Sequence, residues 1–440
     1  MNATDLRNRL VSRAVSGSYG PFRVLGLLLT VVGAALFGYA LTSDHADRAW
    51  HLFHVNWLFF TGLTGGSLAL TAVHKLANAK WSGVILRFAE ANVFFAVVSL
   101  IGLVVIFTVG YEPIYGHMHE QLHSLSHGKA VWLSHGFMFG RLLVGLLVLY
   151  GIGWALVRAD MVPDMHLVKD AVNDGRRDLY GRMTQGFDAS AAGRDAHHAK
   201  INRLAAWYVP IYALVFTMVA FDGIMALQPH WFSNLLGGFY FMGSFLGAHT
   251  LLVLTMLYGR SHLGVSDLVS PKQRHDLGKL CFGFTVFWAY LMWSQFLVIW
   301  YGNLHEETGF VFARLWGPWL PIGRAVFVGM FLVPFWGLLF VAAKRTALTL
   351  GLFATVSLLS LWLERYLLVL PSITHEPGPV FGLLELGPTA LLLGLFLVCY
   401  AVFARRFPMV SPRLAEITLA KEAAHHGHEP EAASLHQAPA

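Results

Sequence analysis

The stretch HVNWLFFTGLTGGSLALTAV, residues 54–73, contains no Asp, Glu, Lys or Arg. A helix rising 1.5 Å per residue needs about twenty mostly apolar residues to cross about 30 Å of hydrocarbon, so the run predicts a transmembrane span. It is not uniformly apolar. His54 and Asn56 stand at its start, and Thr61, Gly62, Thr64, Gly65, Gly66 and Ser67 crowd its middle. Small residues at this density let helix backbones approach closely, which predicts a span packed among other helices.

Working outward, the same length test is met by ten stretches: 22–41, 52–74, 88–110, 131–157, 204–227, 237–258, 280–300, 322–343, 346–370 and 380–403. The narrowest separation is at Lys344 and Arg345, where a tight turn must divide two apolar runs. Of the 440 residues 56% are hydrophobic and only 13% charged, whereas an ordinary soluble domain carries about a quarter charged residues. A surface that meets acyl chains accounts for the missing charge. The expected fold is all-α, a polytopic membrane protein of about ten transmembrane helices. Residues 1–21 form an amino-terminal segment, 22–403 the membrane domain with a polar loop at 158–203, and 404–440 a tail. From Glu422 onward that tail is rich in His, Ala and Glu and reads as disordered.

Lysine and arginine are retained on the cytoplasmic side of short loops. With the amino terminus inside, 25 of the 31 basic residues fall on the inner side, while only Arg48, Lys129 and Arg314 fall in outer loops. Both termini are therefore expected in the cytoplasm. The formal charge of +6 belongs to this asymmetry, and no basic helix with interleaved aromatics points to nucleic acid. Residues 1–20 hold Arg7, Arg9 and Arg13 and no apolar core, which does not read as a cleavable signal peptide.

The two cysteines, Cys281 and Cys399, lie in apolar runs and read as small buried hydrophobes. Without a Cys-x-x-Cys-His or a cysteine cluster, no haem or iron–sulfur centre is expected in this chain. Electrons would come from a mobile carrier or go to a partner. In the outer loop, His119 with His123, and His123 with His127, would share a face of a helix at a spacing that suits zinc or copper. The loop also reads simply as polar, and no metal site is assigned.

An ionisable side chain within a span is a functional candidate, because it costs several kcal/mol unless paired or wetted. His54 and Asn56 open the second span at its outer end. His135 and Arg141 enter the fourth from outside, and Asp222 lies near the outer end of the fifth. If spans two to five pack as one bundle, these groups converge near the outer surface, where His135 and Asp222 would face a ligand and Arg141 would compensate the aspartate. Such a site suits a quinol, whose hydroxyls need proton acceptors on oxidation. Alternatively, Arg141 and Asp222 form an interhelical pair that fixes packing. Glu90 near the inner end of the third span, His249 mid-way along the sixth, Glu364 and Arg365 in the ninth and Glu385 in the tenth trace a possible proton route. His249 equally reads as a core histidine, and Glu364 with Arg365 as a helix-end anchor.

The run from His54 through Asn56-Trp57-Leu58-Phe59-Phe60-Thr61-Gly62-Leu63-Thr64-Gly65-Gly66, followed by Ala79-Lys80-Trp81-Ser82-Gly83 and on to Glu90, resembles the NrfD/PsrC-like membrane subunits of bacterial alternative complex III. The likeness continues in Phe221-Asp222-Gly223-Ile224-Met225-Ala226-Leu227-Gln228-Pro229-His230-Trp231-Phe232, in Phe287-Trp288-Ala289-Tyr290, in Trp300-Tyr301-Gly302-Asn303 and in Glu306-Glu307-Thr308. Within that complex it is nearest to the smaller of two sister subunits. The resemblance implies ten helices containing two four-helix bundles, and neighbouring haem c and iron–sulfur subunits that take electrons from menaquinol. A sister NrfD-like subunit and a terminal oxidase are further implied partners. It also implies a part in proton conduction at the bacterial inner membrane. The sister subunit would hold the better established quinol pocket.

Two other readings compete. One is the quinone-interacting membrane anchor of a molybdopterin oxidoreductase. The other is a secondary transporter, which would show paired interrupted spans near the midplane; the sequence shows no such pair.

Overall fold

The computed structural model describes residues 11, 12, 14, 19–264, 266–374 and 376–413. Most of the expected amino-terminal segment and tail therefore lies outside the described residues. Nine described helices are long and apolar enough to cross a membrane. They are α1 (Gly20–Leu41), α3 (Trp81–Thr108), α4 (His135–Val168), α5 (Ala191–Gly223 with a short 3-10 turn to Leu227), α6 (Leu235–His262), α7 (Pro271–Gly302), α8 (Gly317–Leu339), α9 (Ala347–Ile373) and α10 (Leu383–Arg406).

A tenth, α2 (Ala46–Leu76), is as long as most of them but less apolar, and its surroundings explain why. Every residue from Ala49 to Ala72 is buried, against α3, α5, α6, α9 and α10. A helix that never meets lipid has no need of a lipid-compatible surface. Its small residues act as expected. Gly62 lies against Ser244 Oγ, Gly66 against the Ser244 backbone and Gly65 against the Phe216 ring, so α5 and α6 can close on α2. The chain is thus an all-α, multi-pass membrane protein.

Helices α2–α5 pack as one four-helix bundle and α6–α9 as a second, joined where α2 meets α6. Helices α1 and α10 pair closely outside them. Gly394 opposes Thr30 N at 2.5 Å and Gly26 opposes Gly394 O at 3.0 Å from where a Cβ would stand, so larger residues there would force the pair apart. Lipid-facing residues such as Val24, Leu28, Val97, Ile101, Leu147 and Leu214 are exposed. Cys281 is buried and Cys399 half-buried. Tyr19 packs on Tyr258, His262 and Tyr400, which puts the start of α1 and the end of α10 on the same face as the end of α6. This face carries the basic loops.

Several boundaries differ from the sequence expectation. The stretch 158–203 is largely helical: α4 continues to Val168, a short helix spans Asp174–Met183, and α5 already begins at Ala191. Helix α4 starts at His135, after a separate short helix His127–Trp132. Helix α3 is interrupted, with Gly83 at φ 34° and a 3-10 segment at Ala91–Phe94. Helix α8 widens into a π segment at Val328–Leu332. Pro334 follows that segment and has no N–H to continue the ladder. The division at Lys344 and Arg345 is a single turn, Val341–Arg345, bounded by extended Phe340 and Thr346.

Candidate functional site

The opposite end of the first bundle gathers most of the polar groups expected to form a site. Asp222 occupies the last turn of α5 and is fully buried; Arg141 lies on the second turn of α4. Arg141 Nε donates to Asp222 Oδ2 at 2.8 Å and Nη2 donates to Oδ1, closing a two-pronged pair. This geometry is the strong form of a charge-assisted hydrogen bond. The guanidinium also donates from Nη1 to Trp132 O at 2.6 Å and lies over the rings of Trp132 and Phe137, at 4.1 and 5.0 Å. Both rings are exposed on the protein surface, so the cation sits at the edge of the bundle while its carboxylate is inside. Because α4 begins at His135 and α5 ends at Gly223, the pair is shallower than the longer expected spans implied.

Behind the pair runs an aromatic relay. Tyr115 donates its hydroxyl to Asp222 O at 3.1 Å. Burial, with the Asp222 charge adding to it, holds that hydroxyl well above the usual phenol range, so Tyr115 is a hydrogen-bond donor at neutral pH. Its ring meets Tyr111 and His54. Tyr111 meets the His135 ring at 4.2 Å between centroids. His54 Nε2 lies 2.7 Å from Gly223 O and must carry the proton there, which leaves a buried Nδ1 as an acceptor without a partner. His135 Nε2 faces Phe107 O at 2.7 Å. The structure thus joins Arg141 and Asp222 directly, brings His54 to the neighbouring Gly223 carbonyl and the Tyr115 ring, and brings in His135 through Tyr111 and Tyr115, with neither histidine in direct contact with the carboxylate.

Asn56 stands apart. Its amide donates to Leu52 O and Thr389 Oγ1 and accepts from Trp362 Nε1. It ties α2 to α9 and α10 and is turned away from Asp222.

The residues expected along a proton route occupy separate places. Glu90 is held by Arg87 at the basic face. His249 Nδ1 bonds Phe245 O at 2.8 Å, with its ring 6.4 Å from that of His74. Glu364 pairs with Arg365 at 2.8 Å and accepts from Trp288 Nε1 at 3.2 Å, while Arg365 donates to Tyr240 O and Ser244 Oγ. Glu385 is held by Arg48 at the opposite face, 2.5 Å from Nη2. No hydrogen bond joins these four places to one another among the described residues.

Sequence reading missed a buried ion network at the basic face. Arg87 donates to Glu90 and to Asp164, each at 2.7 Å, and lies 3.5 Å from Asp160. Lys75 and Arg413 also reach Asp160, at 2.5 and 3.3 Å, and Ser411 donates to Asp164. The spacing of Asp160 and Asp164, one helical turn apart, was the available signal. It was hidden because the segment reads as a loop. Tyr111 and Tyr115 carry the same four-residue spacing and were also missed.

The histidines of the opposite-face loop do not share one helix. A helix Tyr111–Gln121 ends before His123, and His127 begins the next. His117 Nε2 instead bonds Leu227 O at 2.8 Å. Among the described residues, no three His, Cys, Asp or Glu side chains cluster so as to hold a metal.

No family model matches the sequence. The chain is similar to one of the subunits of the selenate reductase of Mesobacillus selenatarsenatis, 22% identical over 422 residues that cover 88% of this chain and 93% of that protein.

Proposed function

We propose that the chain is the membrane-embedded subunit of a multi-subunit bacterial oxidoreductase, of the NrfD/PsrC type, that exchanges reducing equivalents with quinone in the inner membrane. The similarity to a selenate reductase polypeptide along nearly the whole of both chains supports a molybdopterin-type reductase as the partner in preference to a cytochrome c-linked assembly. The motif runs in the second and fifth spans support the second reading, the smaller sister subunit of alternative complex III.

The observation that carries the site is the Arg141–Asp222 pair, buried on its acidic side and bordered on its basic side by the exposed rings of Trp132 and Phe137. A quinol headgroup entering past Trp132 and Phe137 would present a hydroxyl to Arg141. As the guanidinium turned toward the ligand oxygen, Asp222 would lose a hydrogen bond and gain basicity, and an Oδ would accept the hydroxyl proton. Tyr115 and His54 hold the backbone that follows that carboxylate, at Asp222 O and Gly223 O. The proton has only a short way to travel to the opposite face, and the electrons pass to a centre on the partner.

The test is purification of the tagged chain from native membranes under mild detergent. Co-purification of a molybdenum-containing protein, with quinol-dependent reduction of its centre, supports the reading. Haem c with iron–sulfur proteins in its place selects the second reading. A lone protein that moves a solute across reconstituted vesicles overturns both.

A further inference from the structure

The second bundle holds a groove of about 360 Å³ between α7, α8, α9 and the helix His305–Leu315, away from the Arg141–Asp222 pair. Its walls are apolar and aromatic, with Trp288, Met292, Phe296, Phe310 and Phe327 among them. Among the described polar residues that interrupt these walls, Glu364 is paired with Arg365, and Arg314 is the cation without a carboxylate. Arg314 is 4% exposed, and its donors meet only neutral groups: Phe310 O at 2.9 Å, Leu368 O at 2.7 Å and Ser372 Oγ at 2.6 Å. Its Nε has no partner. Arg87, Arg141 and Arg365 each face a carboxylate; no ion pair reaches Arg314 among the described residues. A buried guanidinium with neutral neighbours is an unbalanced charge, and an anion beside it would remove the imbalance.

The depth of Arg314 narrows the anion. The helix that carries it joins the ends of α7 and α8 at the opposite face, and Phe310, one turn away, also lines a polar surface pocket with His117, His230 and Glu306. The cation therefore sits where lipid headgroups lie, and the apolar groove lies beside it among the spans. We propose that this groove holds an acyl chain of an anionic phospholipid whose phosphate oxygen accepts from Arg314. A neutral quinone fits the groove less well. It would leave the guanidinium uncompensated, and the carboxylate in the groove, Glu364, is already engaged by Trp288 and Arg365.

The test uses the full chain in dodecylmaltoside, with dioleoyl phosphatidylglycerol or dioleoyl phosphatidylcholine added and retained lipid read by native mass spectrometry. A charge-assisted hydrogen bond of this kind gives roughly tenfold tighter retention of the anionic lipid. Arg314→Gln should erase that preference and Arg314→Lys should keep part of it. Val311→Trp, which narrows the groove and keeps the guanidinium, should lower retention of both lipids and gives an answer even if Arg314→Gln does not fold. Equal retention of the two lipids by the unaltered chain, an unchanged preference in Arg314→Gln, unchanged retention in Val311→Trp, or displacement of phosphatidylglycerol by menaquinone would each overturn the proposal. None of these results depends on the redox reading of the first bundle.

Discussion

Arg141 and Asp222 close a two-pronged ion pair across the seam between α4 and α5, with Nε donating to Oδ2 at 2.8 Å and Nη2 to Oδ1. A carboxylate in this position either accepts a proton during turnover or only holds two helices together. Asp222→Asn keeps the shape and removes the acceptor. Loss of a positioned general base typically costs about 10²–10⁴-fold in rate, so quinol-dependent reduction by the assembled complex should fall by at least about 10²-fold while the complex keeps all its polypeptides. Wild-type turnover in an intact mutant complex would leave the pair a purely structural role.

The structural part of the pair is separable by a double-mutant cycle. Arg141→Gln alone strands the Asp222 charge in the bundle, and breaking a buried pair in this way costs about 3 kcal/mol. Adding Asp222→Asn removes the stranded charge and should restore most of the loss, because two amides can still bond each other. Melting of the purified chain in detergent reads the cycle. If the loss in the double variant equals the sum of the losses in Arg141→Gln and Asp222→Asn, the two side chains are not coupled.

At the basic face, Arg87 is the hub of the buried network, bonded to Glu90 and Asp164 with Asp160 close by. Arg87→Met would leave these carboxylates facing one another with Lys75 and Arg413 only at the rim, and should prevent a monodisperse protein from accumulating. Lys75→Met should be milder, since Asp160 retains Arg87 and Arg413. Equal yields for the two variants in size-exclusion profiles would show that burial does not set the weight of these charges.

Much of this architecture is legible in the sequence because lipid imposes a simple rule on helices that touch it. Length and apolarity mark ten stretches in the sequence, nine of which fall on described helices long and apolar enough to cross a membrane, and the glycine and threonine run from Thr61 to Ser67 marks the tenth, α2, as a packed helix. The rule fails where protein replaces lipid. Asp160 and Asp164 read as the start of a polar loop because their partners Lys75, Arg87 and Arg413 are remote in sequence, so the last turns of α4 go unseen. Asn56, so close to His54 in the chain, points to Thr389 and Trp362, and a helix face cannot be chosen from spacing when all faces are buried. Arg314 reads as an ordinary loop cation, since nothing local shows that the helix around it folds back over α9.

The helix Asp174–Met183 is fastened to the membrane domain by Tyr180, which is buried and donates its hydroxyl to Arg406 O at 3.0 Å, at the end of α10. Burial raises this phenol, with Arg176 and Arg87 opposing the shift, and leaves it pushed up to about 12. An unfolded tyrosine loses its proton near pH 10. Between these two values the docked helix binds more protons than the detached one, so docking is at full strength below about pH 10 and weakens as pH rises toward about 12. A fluorophore on an introduced cysteine, Arg182→Cys, should report release over that interval. In Tyr180→Phe the donor is gone at every pH, so the helix should be looser at neutral pH and the signal flat from about pH 9 to about 11.5. A release curve in Tyr180→Phe that matches the unaltered chain would assign the alkaline transition to another group.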